Sequence, residues 1–264
     1  MLDNNCNNPK QHLQYRLSER YLLKRGFSME KVKPPTILAV DSAGGACSAA
    51  LFVNGAVSRH EWVAISRGHA EILMPMVASV MTGSNYSDLD AIAVTVGPGS
   101  YTGLRIGISL VRGLALAAKL KIISVSSFKA IARGGIVLGA AKGPILVALE
   151  TKRNDLYVQT LDENLDPLSP PACMNPEEVV AAFPEIWCLE HPLVIVGDAV
   201  SRLLPVLSKN HNFIIGKGDG LADAAIVAAE AAENILLGLP IQEQLPPLPV
   251  YIRPPDVSLP EVNS

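Results

Sequence analysis

Stretches in which apolar residues run continuously or alternate with polar ones predict eight strands along the chain. Five lie in the first half and three in the second: 36–42, 46–53, 56–64, 91–96, 121–125, 145–149, 156–161 and 193–196. Asn54 and Gly55 separate the second strand from the third, and both residue types tolerate the positive φ of a two-residue hairpin. We therefore expect the fold to open with three sequential antiparallel strands.

Residues 69–82 place apolar side chains three and four positions apart, which predicts a helix. Pro75 lies inside this segment and is expected to kink the helix or to mark its first turns. Three further helices are predicted at 103–119, 176–182 and 221–237, the last of which is rich in alanine and is followed by Gly238. This order of strands and helices, with a second mixed half from about residue 134, predicts a two-lobed α/β protein.

A glycine-rich segment, GPGSYTG at residues 97–103, joins a continuously apolar strand to a helix. Gly97, Gly99 and Gly103 give the backbone freedom, and together with Ser100 at a helix N-terminus they form a candidate anion cradle. The segment lacks the Lys-Ser/Thr ending of a P-loop. A tight turn before a closely packed helix explains the glycines equally well, so both interpretations stay open.

Two further side chains are candidates for chemistry. Asp41 ends the first strand before a Gly-rich turn, where a carboxylate can hold a metal–phosphate or, more commonly, bond the backbone of the turn. His69 begins a predicted helix, and a lone histidine there is more often a cap or a packed imidazole than a catalyst. The sequence contains no GxSxG and no HExxH motif.

Composition limits the class of protein. The chain has 264 residues, of which 49% are hydrophobic, 18% charged and only 5% aromatic, and its mean hydropathy is +0.28. This composition excludes disorder over most of the chain. Charged residues interrupt the most apolar stretches, so none reaches the run of about 18–20 residues that a membrane span needs. The aliphatic excess predicts either a sheet covered by small-residue helices or a surface that binds a partner.

Charge and cysteine usage suggest a cytoplasmic protein that does not bind nucleic acid by itself. The formal net charge is −3, whereas proteins that bind nucleic acid alone usually carry a basic excess. The four cysteines, Cys6, Cys47, Cys173 and Cys188, show no metal-ligand spacing, which predicts free thiols in a reducing compartment.

The two ends of the chain differ from its middle. Residues 1–35 are polar and basic, and we interpret them as a disordered extension or as a start codon assigned too early, with Met29 as the alternative start. Residues 241–264 are rich in proline and are predicted to be extended along the surface.

Three segments together closely resemble the bacterial TsaB family: ILAVDSAGGACSAAL (37–51), HAEILMPMV (69–77) and IAVTVGPGSYTGLRIGISLVRGLALA (92–117). The run GPGSYTGLRIG at 97–107 is highly specific. The closing PVYIRPPD at 249–256 is similar to that family's C-terminal Tyr-x-Arg segment. The resemblance is firm over 36–132, looser over 133–240 and absent over 1–33.

The resemblance implies an actin/Hsp70-like (ASKHA) fold with two related lobes, each a mixed sheet with flanking helices. The implied divisions are an N-terminal lobe at 36–132, a C-terminal lobe at 133–220 and a helix at 221–240 that packs back on the lobes. TsaB is a subunit of the complex that makes N6-threonylcarbamoyladenosine beside the tRNA anticodon (position 37), and its paralogue TsaD is the transferase.

The resemblance also implies that this chain is a pseudoenzyme that carries no catalytic residue and no metal. Ser127 and Ile131 stand where TsaD has two metal-binding histidines, and neither side chain suits a transition metal. One glycine, Gly197, stands where nucleotide-binding relatives have a fuller pair. Tight binding of ATP and metal is therefore expected on the partner subunits, and Asp41 with the 97–103 loop is interpreted as a vestigial ligand site.

The two N-lobe helices, about 69–82 and 103–119, are implied to pack on TsaD, or on a second copy of this chain in a homodimer. The side chains assigned to that interface are Leu73, Met76, Val77, Val80, Leu104, Gly107, Ile108 and Val111. The ATPase TsaE is expected in the larger complex, tRNA is expected to be bound only through the complex, and no membrane is involved.

Two functions of other classes remain open from sequence alone. One is an independent enzyme, either an ASKHA-type ATP-dependent phosphotransferase or a metallopeptidase-like protein. It would need a second phosphate loop or a metal pair, and neither motif follows residue 133. The other is a protein that binds tRNA directly, which the net charge of −3 disfavours.

Overall fold

Two five-stranded mixed sheets organise the part of the chain that the computed structural model describes, namely residues 33–139, 143–183, 191–207, 212–239 and 247–253. The expected extension at 1–35 lies almost wholly outside these residues, as does most of the tail at 241–264. Within the described ranges, no helix has the length and apolar character needed to cross a membrane.

The first sheet has the strand order β3-β2-β1-β4-β5, in which β1 pairs antiparallel with β2 and parallel with β4. Its elements are β1 (Ile37–Asp41), β2 (Ala46–Val53), β3 (Ala56–Ala64), α1 (His69–Val80), β4 (Ala91–Gly97), α2 (Tyr101–Ala118) and β5 (Lys121–Ser126). Asn54 and Gly55 both have positive φ, 52° and 80°, so the predicted hairpin is confirmed.

The second sheet has the strand order β10-β9-β6-β7-β8. Its elements, with the helices around it, are α3 (Ser127–Gly139), β6 (Ile145–Glu150), β7 (Leu156–Leu161), β8 (Ala172–Met174), α4 (Pro176–Ala182), β9 (Leu193–Val196), α5 (Val200–Leu203), β10 (Phe213–Ile215) and α6 (Ala224–Leu236). Starting from β6, the order repeats that of the first sheet from β1, including one antiparallel and one parallel neighbour. The predicted fold of two related lobes is confirmed.

Three hydrophobic clusters follow from the two faces of each sheet. In β1, Ile37 and Ala39 point into a central cluster shared by both lobes, whereas Leu38 and Val40 point into an outer cluster under α1 and α2. A third cluster lies under α4 and α5. Helix α6 is buried in the central cluster, where its alanines allow close packing against the strands and α3.

A buried ionic cluster joins α3 to α6. The guanidinium of Arg133 donates to Glu230 at 2.8 Å and to Glu233 at 2.7 and 2.5 Å, and Lys129 lies 2.7 Å from Glu230. Burial alone would raise the pKa of Glu230, but Arg133 and Lys129 outweigh it, so this pKa lies below its ordinary value. The Glu230 carboxylate is therefore held charged inside the molecule.

The structure differs from the sequence predictions at several elements. Helix α3 was not predicted, and it runs through the expected lobe boundary between residues 132 and 133. Strands β8 and β10 were also missed, since three residues are too few to show a periodic pattern. Helix α1 is continuous through Pro75, whose ring is exposed.

Candidate functional site

A cleft of about 640 Å³ lies between the two lobes. The N-terminal lobe contributes the turn after β1 and the junction between β4 and α2. The C-terminal lobe contributes the turn between β6 and β7 and the start of the segment after β9. The C-terminal segment at residues 247–253 supplies two more lining side chains, Tyr251 and Arg253.

The glycines of the β4–α2 junction are explained by close packing against the turn after β1. A Cβ on Gly103 would overlap the carbonyl oxygen of Ser42, and one on Gly99 would overlap that of Ala43. The hydroxyl of Ser42 donates to the Gly103 carbonyl at 2.8 Å. These contacts agree with the close-packing interpretation of the loop, and the anion cradle stays a prediction.

Two amide groups of the same loop, those of Ser100 and Gly103, are used within the lobe. The Ser100 amide donates to the Ala43 carbonyl at 2.7 Å, and the Ser100 side chain and carbonyl accept from the Gly103 and Leu104 amides. An anion cradle needs such amides to point at the ligand. Of the five residues assigned to a vestigial ligand loop, Gly99 and Ser100 line the cleft, whereas Asp41, Gly97 and Gly103 do not.

Asp41 is buried beneath the cleft. Its Oδ1 accepts from the Thr95 hydroxyl and from the Ala43 amide, the latter at 3.3 Å, and its Oδ2 has no hydrogen-bond partner among the described residues. Burial raises the pKa of Asp41 from 3.8 to about 6, and the hydrogen bonds from Thr95 and Ala43 only partly oppose this. The carboxyl thus bonds the backbone of the turn and the hydroxyl of β4, and a role in ligand binding stays a prediction.

His69 also bonds the turn after β1. Its Nε2 lies 3.2 Å from the Gly44 carbonyl, and since a carbonyl only accepts, Nε2 carries the proton. The imidazole is buried at the start of α1 and lines the cleft. This arrangement agrees with a packed imidazole that ties α1 to the turn.

The C-terminal lobe brings charge to the cleft. Glu150, Lys152 and Arg153 lie at the β6–β7 turn, and Arg202 pairs with Glu150 at 2.7 Å. The side chain of Asp198 accepts from the Glu150 amide at 2.8 Å, and burial raises the pKa of Asp198 above its ordinary value. From the sequence, residues 151–155 were expected to form a polar turn, but no function was assigned to it.

Ser127 and Ile131 stand one helical turn apart on α3, and both line the cleft. Ser127 is buried, and its hydroxyl has no hydrogen-bond partner in the part of the chain that the structure describes. These two positions present a hydroxyl and an aliphatic chain, which is a poor pair of ligands for a transition metal. Among the described residues, no group of three or more His, Cys, Asp or Glu could hold a metal ion.

The sequence pattern did not predict that the C-terminal segment, residues 247–253, lies at the cleft. The Val250 amide donates to the Val96 carbonyl at 2.7 Å, the Tyr251 ring stacks on Tyr101 with centroids 5.3 Å apart, and Arg253 pairs with Asp155. The Tyr-x-Arg pattern at 251–253 was the one available signal, and it came from the family resemblance alone.

The side chains assigned to a partner interface lie mostly inside the lobe, which corrects that assignment. Seven are buried in the outer cluster beneath α1 and α2: Leu73, Val77, Val80, Leu104, Gly107, Ile108 and Val111. Met76 is half-buried. The reason is that apolar residues at helical spacing mark the face that a helix turns to its own sheet. Whether these helices bind a partner through another face stays a prediction.

The outer faces of the same helices carry a second set of apolar residues. Met74 on α1 is 41% exposed and Leu116 on α2 is 83% exposed. Gly113 and Ala117, three and one positions from Leu116, are also exposed and small. A Cβ on Gly113 would meet nothing within 4 Å. The outer face of α2 thus presents one large apolar side chain with small residues beside it, and Arg112 is exposed one helical turn before it.

Comparisons of sequence place the chain among proteins of tRNA modification. The family model "TsaD: tRNA N6-adenosine threonylcarbamoyltransferase" matches residues 63–203. The tRNA threonylcarbamoyladenosine biosynthesis protein TsaB of Escherichia coli (strain K12) is 39% identical over 198 residues, covering 72% of this chain and 82% of that protein. The TsaB protein of Bacillus subtilis (strain 168) is 31% identical over 141 residues, or 49% and 62% of the two chains.

Comparisons of structure agree with this result. YeaZ from Pseudomonas aeruginosa superimposes with a TM-score of 0.70 at 26% identity, covering 82% of this chain and 99% of that one. A second Pseudomonas aeruginosa structure, described as similar to peptidase YeaZ, gives a TM-score of 0.70 at 28% identity over 83% and 100% of the two chains.

Proposed function

Because this chain belongs to the TsaB family and so takes part in the biosynthesis of threonylcarbamoyladenosine in tRNA, we propose that it acts as a non-catalytic subunit that binds and activates TsaD. TsaD is the threonylcarbamoyltransferase whose family model matches the middle of the chain. In this proposal TsaD supplies the metal and the chemistry, TsaE supplies ATPase activity, and tRNA is reached through the complex.

The observation that best supports this proposal is the exposed apolar side chain on the outer face of α2. Leu116 is more exposed than any other large apolar side chain that the described residues contain, and Gly113 and Ala117 beside it allow a partner helix to approach closely. Exposed apolar surface of this kind is typical of a protein–protein contact. The buried face of α2 already fills the outer cluster, so the lobe's own packing leaves Leu116 unexplained.

The interior of the site supports a non-catalytic role. The Ser100 amide at the β4–α2 junction bonds the turn after β1, Asp41 accepts from Thr95 and Ala43, and α3 presents Ser127 and Ile131 to the cleft. Some of the groups that could have held a phosphate are therefore engaged in folding, and Ser127 with Ile131 is a poor pair of ligands for a metal.

Leu116→Glu tests the interface. We expect co-purification of the full chain with TsaD to fall at least about 10-fold, because a buried unpaired carboxylate opposes helix packing. Leu168→Glu is the matched control, since Leu168 is 57% exposed on the C-terminal lobe and should leave the complex intact. Circular dichroism checks that both variants fold. An undiminished complex with folded Leu116→Glu would contradict this interface.

An ATP-dependent enzyme is the second candidate, favoured by the size of the cleft and by Lys152, Arg153 and Arg253 along it. Calorimetry on the isolated chain with ATP and Mg²⁺ separates the two proposals. Micromolar binding with hydrolysis in the absence of TsaD would favour the enzyme, whereas no heat of binding agrees with the non-catalytic subunit.

A further inference from the structure

Residues 247–253 touch both lobes within a few residues. On the N-terminal side, Val250 donates its amide to Val96 at the end of β4, and a Cβ on Gly97 would meet the Val250 carbonyl at 2.8 Å. On the C-terminal side, Arg253 pairs with Asp155, the residue before β7. The segment therefore spans the mouth of the cleft from one sheet to the other.

Aromatic contacts fix the middle of this segment to the start of α2. The Tyr251 ring stacks on the Tyr101 ring at 5.3 Å and 27°, and the guanidinium of Arg105 lies 4.7 Å from the centroid of Tyr101. Tyr101 is the first residue of α2, and Arg105 follows one turn later. The segment is thus held against the N-terminal end of α2, at the edge of the cleft.

The contacts of this segment differ in their exposure. Tyr101 and Tyr251 are exposed and Arg253 is partly exposed, whereas Pro247 is buried and Ile252 packs against the central cluster. Exposed ion pairs and ring stacks are individually weak and are broken and remade within a folded protein. None of residues 247–253 belongs to a strand of either sheet, so release of the segment would expose Pro247 and Ile252 but would break no strand pairing.

We propose that residues 247–253 form an interlobe latch, a strap that closes the mouth of the cleft and whose release opens it. Because Tyr251 and Arg253 are themselves lining residues, the latch is one wall of the cleft as well as a tie between the lobes. Every contact lies within this chain, so the latch and its test are independent of the proposed partner.

The latch predicts coupling between contacts in different lobes. Arg253→Gln removes an ion pair to the C-terminal lobe, yet we expect exchange of the Val250 amide, which bonds the N-terminal lobe, to become about 10-fold faster. Arg202→Gln is the matched control, because it removes an ion pair to Glu150 and hydrogen bonds to the Asn154 and Asp155 carbonyls at the same β6–β7 turn, but leaves the Asp155 carboxylate paired with Arg253. Hydrogen exchange of the full chain, read by mass spectrometry, measures both.

A thiol reporter measures opening of the cleft itself. Ser127→Cys places a thiol on the floor of the cleft, in a chain whose Cys6, Cys173 and Cys188 are replaced by serine. The remaining Cys47 is buried, and burial raises the pKa of its thiol to about 12, so it reacts slowly. We expect labelling of the reporter to become about 10-fold faster with either Arg253→Gln or Tyr251→Ala, and to stay unchanged with Arg202→Gln.

The outcomes decide the proposal. Faster exchange at Val250 together with faster labelling at position 127 supports the latch. Folded Arg253→Gln and Tyr251→Ala variants that label and exchange at the parental rate would overturn it. So would equal acceleration by Arg202→Gln, because the effect would then come from the turn between β6 and β7 and not from the strap.

Discussion

In the N-terminal lobe β4 leads into an 18-residue helix, whereas in the C-terminal lobe β9, at the same place in the strand order, leads into a helix of four residues. Both junctions begin with a glycine at positive φ, Gly97 at 114° and Gly197 at 118°. In both, an amide just after that glycine donates to a carbonyl near the end of the lobe's first strand, from Ser100 to Ala43 and from Ala199 to Ala148. The repeated fold thus explains the junctions but not the length of α2.

The charged groups of the two lobes also differ, and here the C-terminal lobe has the more exposed ones. The N-terminal lobe buries its carboxyl, Asp41, among neutral hydrogen-bond donors. The C-terminal lobe keeps Glu150 partly exposed with Arg202, next to the exposed Lys152. Within the described residues, the N-terminal lobe therefore offers the longest helix, α2, and the C-terminal lobe supplies the charged side chains that line the cleft.

Loss of one arginine should give the largest difference between buried and exposed ion pairs. Arg133→Met removes the guanidinium that bonds Glu230 and Glu233, and we expect a loss of about 3–5 kcal/mol in the free energy of unfolding because two carboxylates stay buried. Arg202→Met in the C-terminal lobe, which breaks a partly exposed pair, should cost about 1 kcal/mol or less.

Urea unfolding at neutral pH measures both arginine variants. Equal losses would mean that the α3–α6 cluster is no more important to folding than the surface pair. A loss for Arg133→Met alone would show that the centre of the molecule depends on this charge.

The raised pKa of Asp41 predicts that the folded chain becomes less stable as the pH rises. Its pKa of about 6 in the folded chain exceeds the unfolded value of 3.8, so the folded state binds the proton more tightly. The free energy of unfolding should therefore decrease by up to about 3 kcal/mol between pH 4 and pH 6, at about 1.4 kcal/mol for each pKa unit.

Asp41→Asn keeps the acceptor for Thr95 and Ala43 but carries no charge. We expect this variant to be more stable than the parent at pH 7 and to match it near pH 4, as measured by urea unfolding across that range. Asp198→Asn in the C-terminal lobe should show a smaller gain, since the peptide N–H of Glu150 stabilises its carboxylate. The same gain at both pH values for Asp41→Asn would contradict a raised pKa.

Local patterns were sufficient to predict most of the strands. The hairpin at Asn54 and Gly55 and the strands Ala46–Val53 and Leu156–Leu161 depend on neighbouring residues alone, and the structure has them at the predicted bounds. Helix α3 was missed because Gly134 and Gly135 suggest a break. A Cβ on Gly135 would overlap the side chain of Val196, so this glycine allows the helix to pack closely on β9.

The candidate site was harder to predict because it joins distant segments. Asp41, the 97–103 loop and His69 were singled out from sequence, but the contributions of Glu150, Asp198 and Tyr251 depend on how the lobes meet. Likewise, the spacing of Leu104, Ile108 and Val111 showed that they share one face of α2. It could not show whether that face meets the sheet or a partner.

Substitution of two glycines of α2 should change the stability least. It also tests most directly which face of α2 packs on the sheet. Gly103→Ala should destabilise the chain by about 2 kcal/mol, because its Cβ would push α2 away from Ser42 in the turn after β1. Gly113→Ala has open space around it and should stabilise the chain by about 0.5–1 kcal/mol, the usual gain of alanine over glycine inside a helix. Thermal unfolding measures both. If Gly103 instead served a partner surface, its alanine variant would be as stable as the parent chain and would fail only in binding.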